Sequence, residues 1–148
     1  MGDERAILHA LLQYQRESLV AKIEGVDEAA ARRPLVPSGT TLLWLVKHMA
    51  VAEALWVLRR FAGRPDDVGD PTVQPGDTVA SAVAAYRAGW ARIDAVAAAA
   101  SLDTLCADTG EESPVNLRWV LAHLLEETAR HAGHADILRE LVDGQTGR

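Results

Sequence analysis

The 148-residue chain holds a single cysteine, Cys106, so no internal disulfide can form and the fold must stand on packing alone. Nowhere do 18 apolar residues follow one another, so no membrane-spanning helix is expected. The polar start Met1-Gly2-Asp3-Glu4-Arg5 lacks the apolar core of an export signal, and a cytoplasmic location is expected. No block of five or more Lys and Arg occurs; Arg59, Arg60 and Arg64 come nearest and suit a solvated helix end. With a formal net charge of −6, a nucleic-acid partner is not expected, because phosphate binding needs clustered cations. Several catalytic signatures are missing too. There is no His-Glu-x-x-His of metalloproteases, no phosphate-cradling glycine loop and no Gly-x-Ser-x-Gly around Ser18, Ser81 or Ser113. Cys106 lies in a polar connection without a sequence partner, which argues against a nucleophile. Aromatics make up only 5 % of the chain, and no segment alternates with period two, so strands are not expected.

What remains is rich in alanine, the best helix former, and 49 % hydrophobic, enough for one sizeable core over residues 1–148. The first helix is expected over Asp3 to Glu24, capped by Asp3 and stopped by Gly25, with Ile7, Leu8, Leu11, Leu12, Tyr14, Leu19 and Ile23 at helical spacing. A short helical turn over Asp27 to Arg32 follows, then a loop from Pro34 to Gly39. The second helix should start after Thr40 or Thr41 and run to Ala62, with Leu42, Leu45, Met49, Ala52 and Trp56 on one face. Gly63-Arg64-Pro65 stops it and opens a long irregular connection to Gly76. The third helix is expected over Asp77 to Ala100. The fourth should start at Ser113-Pro114 and end near Val142, with Gly144 as its C-terminal stop. Four long helices with apolar stripes make an all-α, up-down antiparallel four-helix bundle the default, with one short extra helix. The two long connections leave room for one crossover.

The chemistry points to the fourth helix, where the chain reads His123-Leu-Leu-Glu-Glu127-Thr-Ala-Arg-His131-Ala-Gly-His134. Residues four apart share a helix face, so Glu127 and His131 point the same way. At about 100° per residue, His131 falls within about 40° of the buried stripe and Glu127 within about 80°. A carboxylate facing a bundle interior is costly unless paired or ligated. A divalent metal would supply the compensation, with His48 on the second helix as the third ligand. Two His and one Glu form a known catalytic zinc set with an open position, and the same set suits iron or nickel. Spacing alone is also met by a surface ion pair at Glu127–His131 and by an ordinary core-edge histidine at His48. Trp44, Trp56, Trp90 and Trp119 are expected as core or interface anchors.

The stretch from Leu117-Arg118-Trp119-Val120 through His131-Ala-Gly-His134-Ala-Asp136-Ile-Leu-Arg139-Glu140 to Asp143-Gly144 resembles the DinB-like metal-binding bundles. The segment Thr41-Leu-Leu-Trp44-Leu-Val-Lys-His48, with Glu53 and Trp56, fits the same pattern. The chain is most similar to the branch that includes mycothiol-dependent maleylpyruvate isomerase; many other members carry histidine where this chain has Glu127. The resemblance implies a bundle, often dimeric, that holds a metal near one end of its core through His48, Glu127 and His131. His134 is then a neighbouring pocket residue. Arg139 is a further pocket candidate, with a helix-surface pairing to Asp136 or Asp143 as its other reading. The isomerase builds part of its substrate site from a further C-terminal domain without a counterpart in these residues, so maleylpyruvate isomerisation is not expected. The expected activity is metal-dependent activation of a low-molecular-weight thiol such as mycothiol, or of water, for attack on a small electrophile. The zinc-type ion is the leading cofactor and a homodimer the expected assembly. The other reading is a non-catalytic, metal-stabilised dimeric binding module of stress-response type.

Overall fold

The computed structural model describes residues 3–64, 68–108 and 114–147. The chain is all-helical there, with one isolated antiparallel bridge, Leu105 to Asn116, as its only β-type pairing among the described residues. Helix α1 spans Glu4–Ile23; the Asp3 carboxylate accepts from the Ala6 amide, satisfying one of the orphan N–H groups of the first turn. Gly25, at φ +76°, turns the chain out of it. The short α2, Glu28–Arg32, is capped by Asp27, which accepts from Ala29 and Ala30. Helix α3, Leu42–Glu53, starts at a Thr41 cap and continues without a break as a π-helix, Ala54–Phe61. Helix α4, Val79–Ala98, opens with a reciprocal Thr78–Ser81 capping box. Helix α5, Leu117–Asp143, begins at Asn116 and ends at Gly144, whose φ of 78° is the left-handed geometry of a C-terminal stop.

Two expectations need correction. Helix α5 does not begin at Pro114. Cys106 donates to the Val115 carbonyl (2.9 Å) and Leu117 to that of Thr104 (3.0 Å). This backbone pairing holds 114–116 extended, and Asn116, whose side chain accepts from Trp119 N–H, becomes the cap. The expected cap, Ser113, lies outside the described residues. The second helix reaches Phe61 as expected, but its last eight residues are π-helical, with Ala62 N–H bonded five residues back to Val57. The wider turn changes which residues share a face beyond Glu53.

Contacts between helices set their directions. Arg118 pairs with Glu4 near the N-terminal ends of α5 and α1, and Arg139 caps the Lys22 and Glu24 carbonyls near their C-terminal ends, so α1 and α5 run parallel. Helix α3 runs against α5, because His48 meets His131 while Trp56 meets Trp119. Helix α4 runs with α3: Lys47 pairs with Asp77, and Glu53 accepts from Tyr86. The all-α bundle stands, but a third expectation is corrected: with α1 and α5 parallel and α3 and α4 parallel, the helices do not alternate strictly up and down, and the one crossover is the connection after α3. No helix among the described residues is long and apolar enough to cross a membrane.

The core falls into two apolar clusters. One gathers Leu19, Val20, Leu43, Leu45, Met49 and Leu138; the other gathers Leu12, Val57, Leu58, Ile93, Leu117 and Leu124. At their junction sits a polar network with no solvent exposure at Arg16 or Glu53. Arg16 Nε donates to both Glu53 oxygens (3.0 and 3.1 Å) and Nη2 donates to Oε2 (2.6 Å). Tyr86 Oη donates to Glu53 Oε1 (2.7 Å), and Arg16 Nη1 reaches Asp94 (2.9 Å). Burial pushes the Glu53 carboxyl above its ordinary range, and the Arg16 charge opposes that shift.

Candidate metal centre

The α3–α5 interface is where imidazole and carboxylate groups from separate helices meet. His48 lies in the second turn of α3, held in register by the Thr41 cap, whose hydroxyl accepts from Trp44 N–H (3.1 Å). Trp44, one turn before His48, stacks on its ring at 4.6 Å and 14°. From α5, Glu127 and His131 project one turn apart. His131 Nε2 lies 3.0 Å from Glu127 Oε1, and His48 Nε2 lies 3.5 Å from the same oxygen. One donor atom from each of the three residues falls within 4.8 Å of the others, and among the described residues no other trio of His, Cys, Asp or Glu does so. The side chains of His48, Glu127 and His131 are 26 %, 18 % and 12 % exposed, so the cluster is reachable yet largely shielded.

Electrostatics set the protonation states. Partial burial pushes the Glu127 carboxyl up, but hydrogen bonds and charge from His131, with further help from His48 and Arg130, outweigh it and hold Glu127 below the ordinary carboxylate value. Burial pulls His131 below the ordinary histidine value; Glu127 opposes this, while His48 and His134 reinforce it. Glu127 is thus an anion and His131 a neutral imidazole at pH 7, the states in which each lends a lone pair to a cation. Two imidazole nitrogens and one carboxylate oxygen from two helices fit a borderline divalent ion with a position left open, and the absence of sulfur donors argues against a thiolate-bound metal.

The other sequence candidates divide. His134 joins the cluster at one remove, its Nδ1 3.3 Å from His131 Nδ1. Arg139 does not: it is buried two turns further along α5, where it holds the Lys22 and Glu24 carbonyls, Asp143 and Gln145. Its helix pairing with Asp143 is the reading the coordinates bear out, and its role is to tie α5 to the end of α1. Trp44 was expected only as an anchor; its spacing of four from His48 is the signal that could have placed it at the site. A second aromatic cluster continues along the same two helices. Trp119 and His123 stack at 5.0 Å, Trp56 closes on both at 5.2 and 4.6 Å, and Arg60 lies 4.2 Å over Trp56. Cys106 is buried, and that burial pushes its thiol up, away from the thiolate a nucleophile requires.

Fold and cluster together describe a helical bundle of the DinB-like kind with a His-Glu-His constellation between two of its helices. The chain belongs to the mycothiol-S-transferase family, whose model matches residues 7–144. No curated protein matches it. The crystal structure of a conserved protein from Enterococcus faecalis is similar in fold, with a TM-score of 0.61 at 18 % identity, over 98 % of this chain and 100 % of that one.

Proposed function

We propose that this chain is a metal-dependent thiol S-transferase that uses His48, Glu127 and His131 to hold one divalent ion, zinc foremost, and conjugates a low-molecular-weight thiol of the mycothiol type to a small electrophile. The observation that carries the reading is the convergence of two imidazole Nε2 atoms and Glu127 Oε1 from α3 and α5. Family membership supports the choice of thiol. A bound divalent ion lowers the pKa of a coordinated thiol, so that sulfur is available as thiolate near neutral pH.

The protein's own groups have separate tasks. Glu127 contributes the negative charge that makes the site favour a cation, and Arg130, 3.3 Å from its outer oxygen, holds the carboxylate from the solvent side. Trp44 covers one face of the His48 ring, fixing its plane and excluding water from that side. His134 braces His131 from the outer side of α5. With an alkyl halide a sulfur–carbon bond forms as the carbon–halogen bond breaks, the halide departs with the electron pair and the thiol proton goes to water. With an epoxide the ring carbon–oxygen bond breaks and the alkoxide takes a proton, and with an activated alkene the π bond breaks and the neighbouring carbon takes the proton.

The test is elemental analysis of the purified protein followed by thiol consumption against a panel of alkyl halides, epoxides and activated alkenes. One equivalent of metal with thiol consumption lost in His48→Ala and His131→Ala is the expected result. Stoichiometric metal with no turnover on any acceptor would overturn the enzyme reading and favour a metal-stabilised binding module.

A further inference from the structure

A transferase of this kind needs room for its acceptor as well as for its thiol, and the constellation itself is only a cluster of donors. The larger grooves do not supply that room beside it. The cavity of about 490 Å³ between α3 and α4, and that of about 440 Å³ between α1 and α4, share no lining residue with the triad or His134. A smaller cavity of about 240 Å³ comes nearer: none of the triad lines it, but His134, whose Nδ1 lies 3.3 Å from His131 Nδ1, forms part of its wall.

The chain builds that cavity from two sources. Helix α5 contributes His134, Ile137 and Leu138, at the three- and four-residue steps that keep one face. The connection before α3 contributes Val36, Ser38 and Thr40. That connection is shaped by a tight turn: Gly39 N–H donates to the Val36 carbonyl (3.0 Å), Pro37 occupies a turn position that suits its fixed φ, and Gly39 takes a φ of +78°. The turn places Ser38 Oγ and Thr40 Oγ1 2.9 Å apart. Val36, Ile137 and Leu138 are aliphatic, and the polar groups are those two hydroxyls and His134. Among the described residues no Asp, Glu, Lys or Arg lines the cavity.

We propose that this cavity is the acceptor pocket: it takes the short alkyl portion of a small, uncharged electrophile, whose reactive carbon then lies toward His131 across the His134 ring. The inference rests on the thiol-transfer reading for the identity of the reaction, but the pocket is defined by its own walls. Aliphatic lining favours a hydrocarbon chain. The absence of a cation or anion disfavours ionised acceptors, which would lose hydration without a partner. The volume lies under the roughly 300–1,000 Å³ of drug-sized sites, which limits the acceptor to a small molecule.

The probes are 1-alkanols from ethanol to 1-octanol, unreactive stand-ins for an alkyl acceptor, titrated by NMR into the full chain with and without zinc. Affinity should rise about fourfold per methylene until the cavity is filled and then level off, the ratio that about 0.8 kcal/mol per buried CH₂ implies. Resonances of Val36, Ile137 and Leu138 should report the binding. Ser38→Trp, on an exposed loop, and Ile137→Trp, on an exposed helix face, each fill the cavity and should weaken 1-hexanol at least tenfold. Neither should alter zinc stoichiometry or helix content. In turnover the same variants should lose about tenfold in kcat/KM for 1-bromohexane, and the loss should shrink along the series to bromoethane, which has little chain to bury. Alkanol binding without chain-length dependence, or unaffected by both variants, would overturn the pocket while leaving the thiol-transfer reading intact. Alkanol binding as expected with no turnover of any bromoalkane would overturn the acceptor role, and the thiol-transfer reading falls with it only if no other acceptor consumes the thiol either.

Discussion

Replacing Glu53 by glutamine tests the physical basis of the bundle most directly. The side chain keeps its size but loses its charge, and Arg16 is left as a cation with no solvent exposure. Three Arg16 N–H···O contacts and the Tyr86 hydroxyl converge on the two Glu53 oxygens. An amide can face them with one oxygen only; its NH₂ group turns donor against donor. Removing one partner of a buried ion pair costs about 3–5 kcal/mol. Asp94, which holds Arg16 Nη1 at 2.9 Å and is part-exposed, compensates in part, so the lower end applies, about 3 kcal/mol. At about 2–4 °C per kcal/mol for a chain of this size, Tm should fall by about 6–12 °C. Calorimetry and urea unfolding give the number. The paired replacement Arg16→Met with Glu53→Met, which removes both charges, should recover most of the loss. The zinc Kd of the folded variant should stay within about threefold of wild type, since the Glu53 carboxylate bonds to Arg16 and Tyr86 and not to the triad. A single-variant loss under about 1 kcal/mol, or a double variant less stable than the single, would refute the claim that the pair is a matched, fully desolvated unit.

Zinc at 100 times its Kd should raise stability by about 2.7 kcal/mol, and this gain should vanish in His48→Ala, Glu127→Ala or His131→Ala, as thermal melts with and without chelator will report. Because burial and the neighbouring imidazoles hold His131 below the ordinary histidine value, it stays neutral above that range. Zinc affinity by competition titration should therefore be flat above about pH 6.5 and fall only below it, as protons compete for the His131 imidazole; Glu127, held below the ordinary carboxylate value, stays an anion through that fall and adds proton competition of its own only at lower pH. Trp44→Leu removes the stack on His48 and should weaken zinc about tenfold by the same titration, with helix content unchanged. Arg139→Met strips the Lys22 and Glu24 carbonyls of a charged donor and should cost about 2–3 kcal/mol in urea unfolding while leaving zinc binding intact.

Much of this arrangement was legible in one dimension because its causes are local. Capping residues, glycine stops and the 3.6-residue recurrence of apolar side chains act within a turn or two, so Asp3, Gly25 and Gly144 could be read as helix ends directly. The i, i+4 spacing likewise puts Glu127 and His131 on one face whatever the tertiary packing. Where local signals misled, a nonlocal contact had won. Pro114 is a fair helix start by itself, but pairing of 104–106 with 115–117 held it extended and passed the cap to Asn116. The π-helix after Glu53 carries no sequence signature, and Arg139 could not be moved from a pocket to a helix cap without knowing that α1 ends beside it.

The residues alone thus determined the helical class, nearly all the helix ends and the shared face of Glu127 and His131, since each depends on neighbours a few positions apart. Tertiary structure decided the rest: that α3 and α4 run parallel, that His48 arrives 3.5 Å from Glu127, and that Arg16 finds Glu53 across 37 positions of chain. Those contacts arise only when apolar stripes on distant segments are buried together, and the direction in which the connection after Phe61 returns is set by that packing rather than by its own composition.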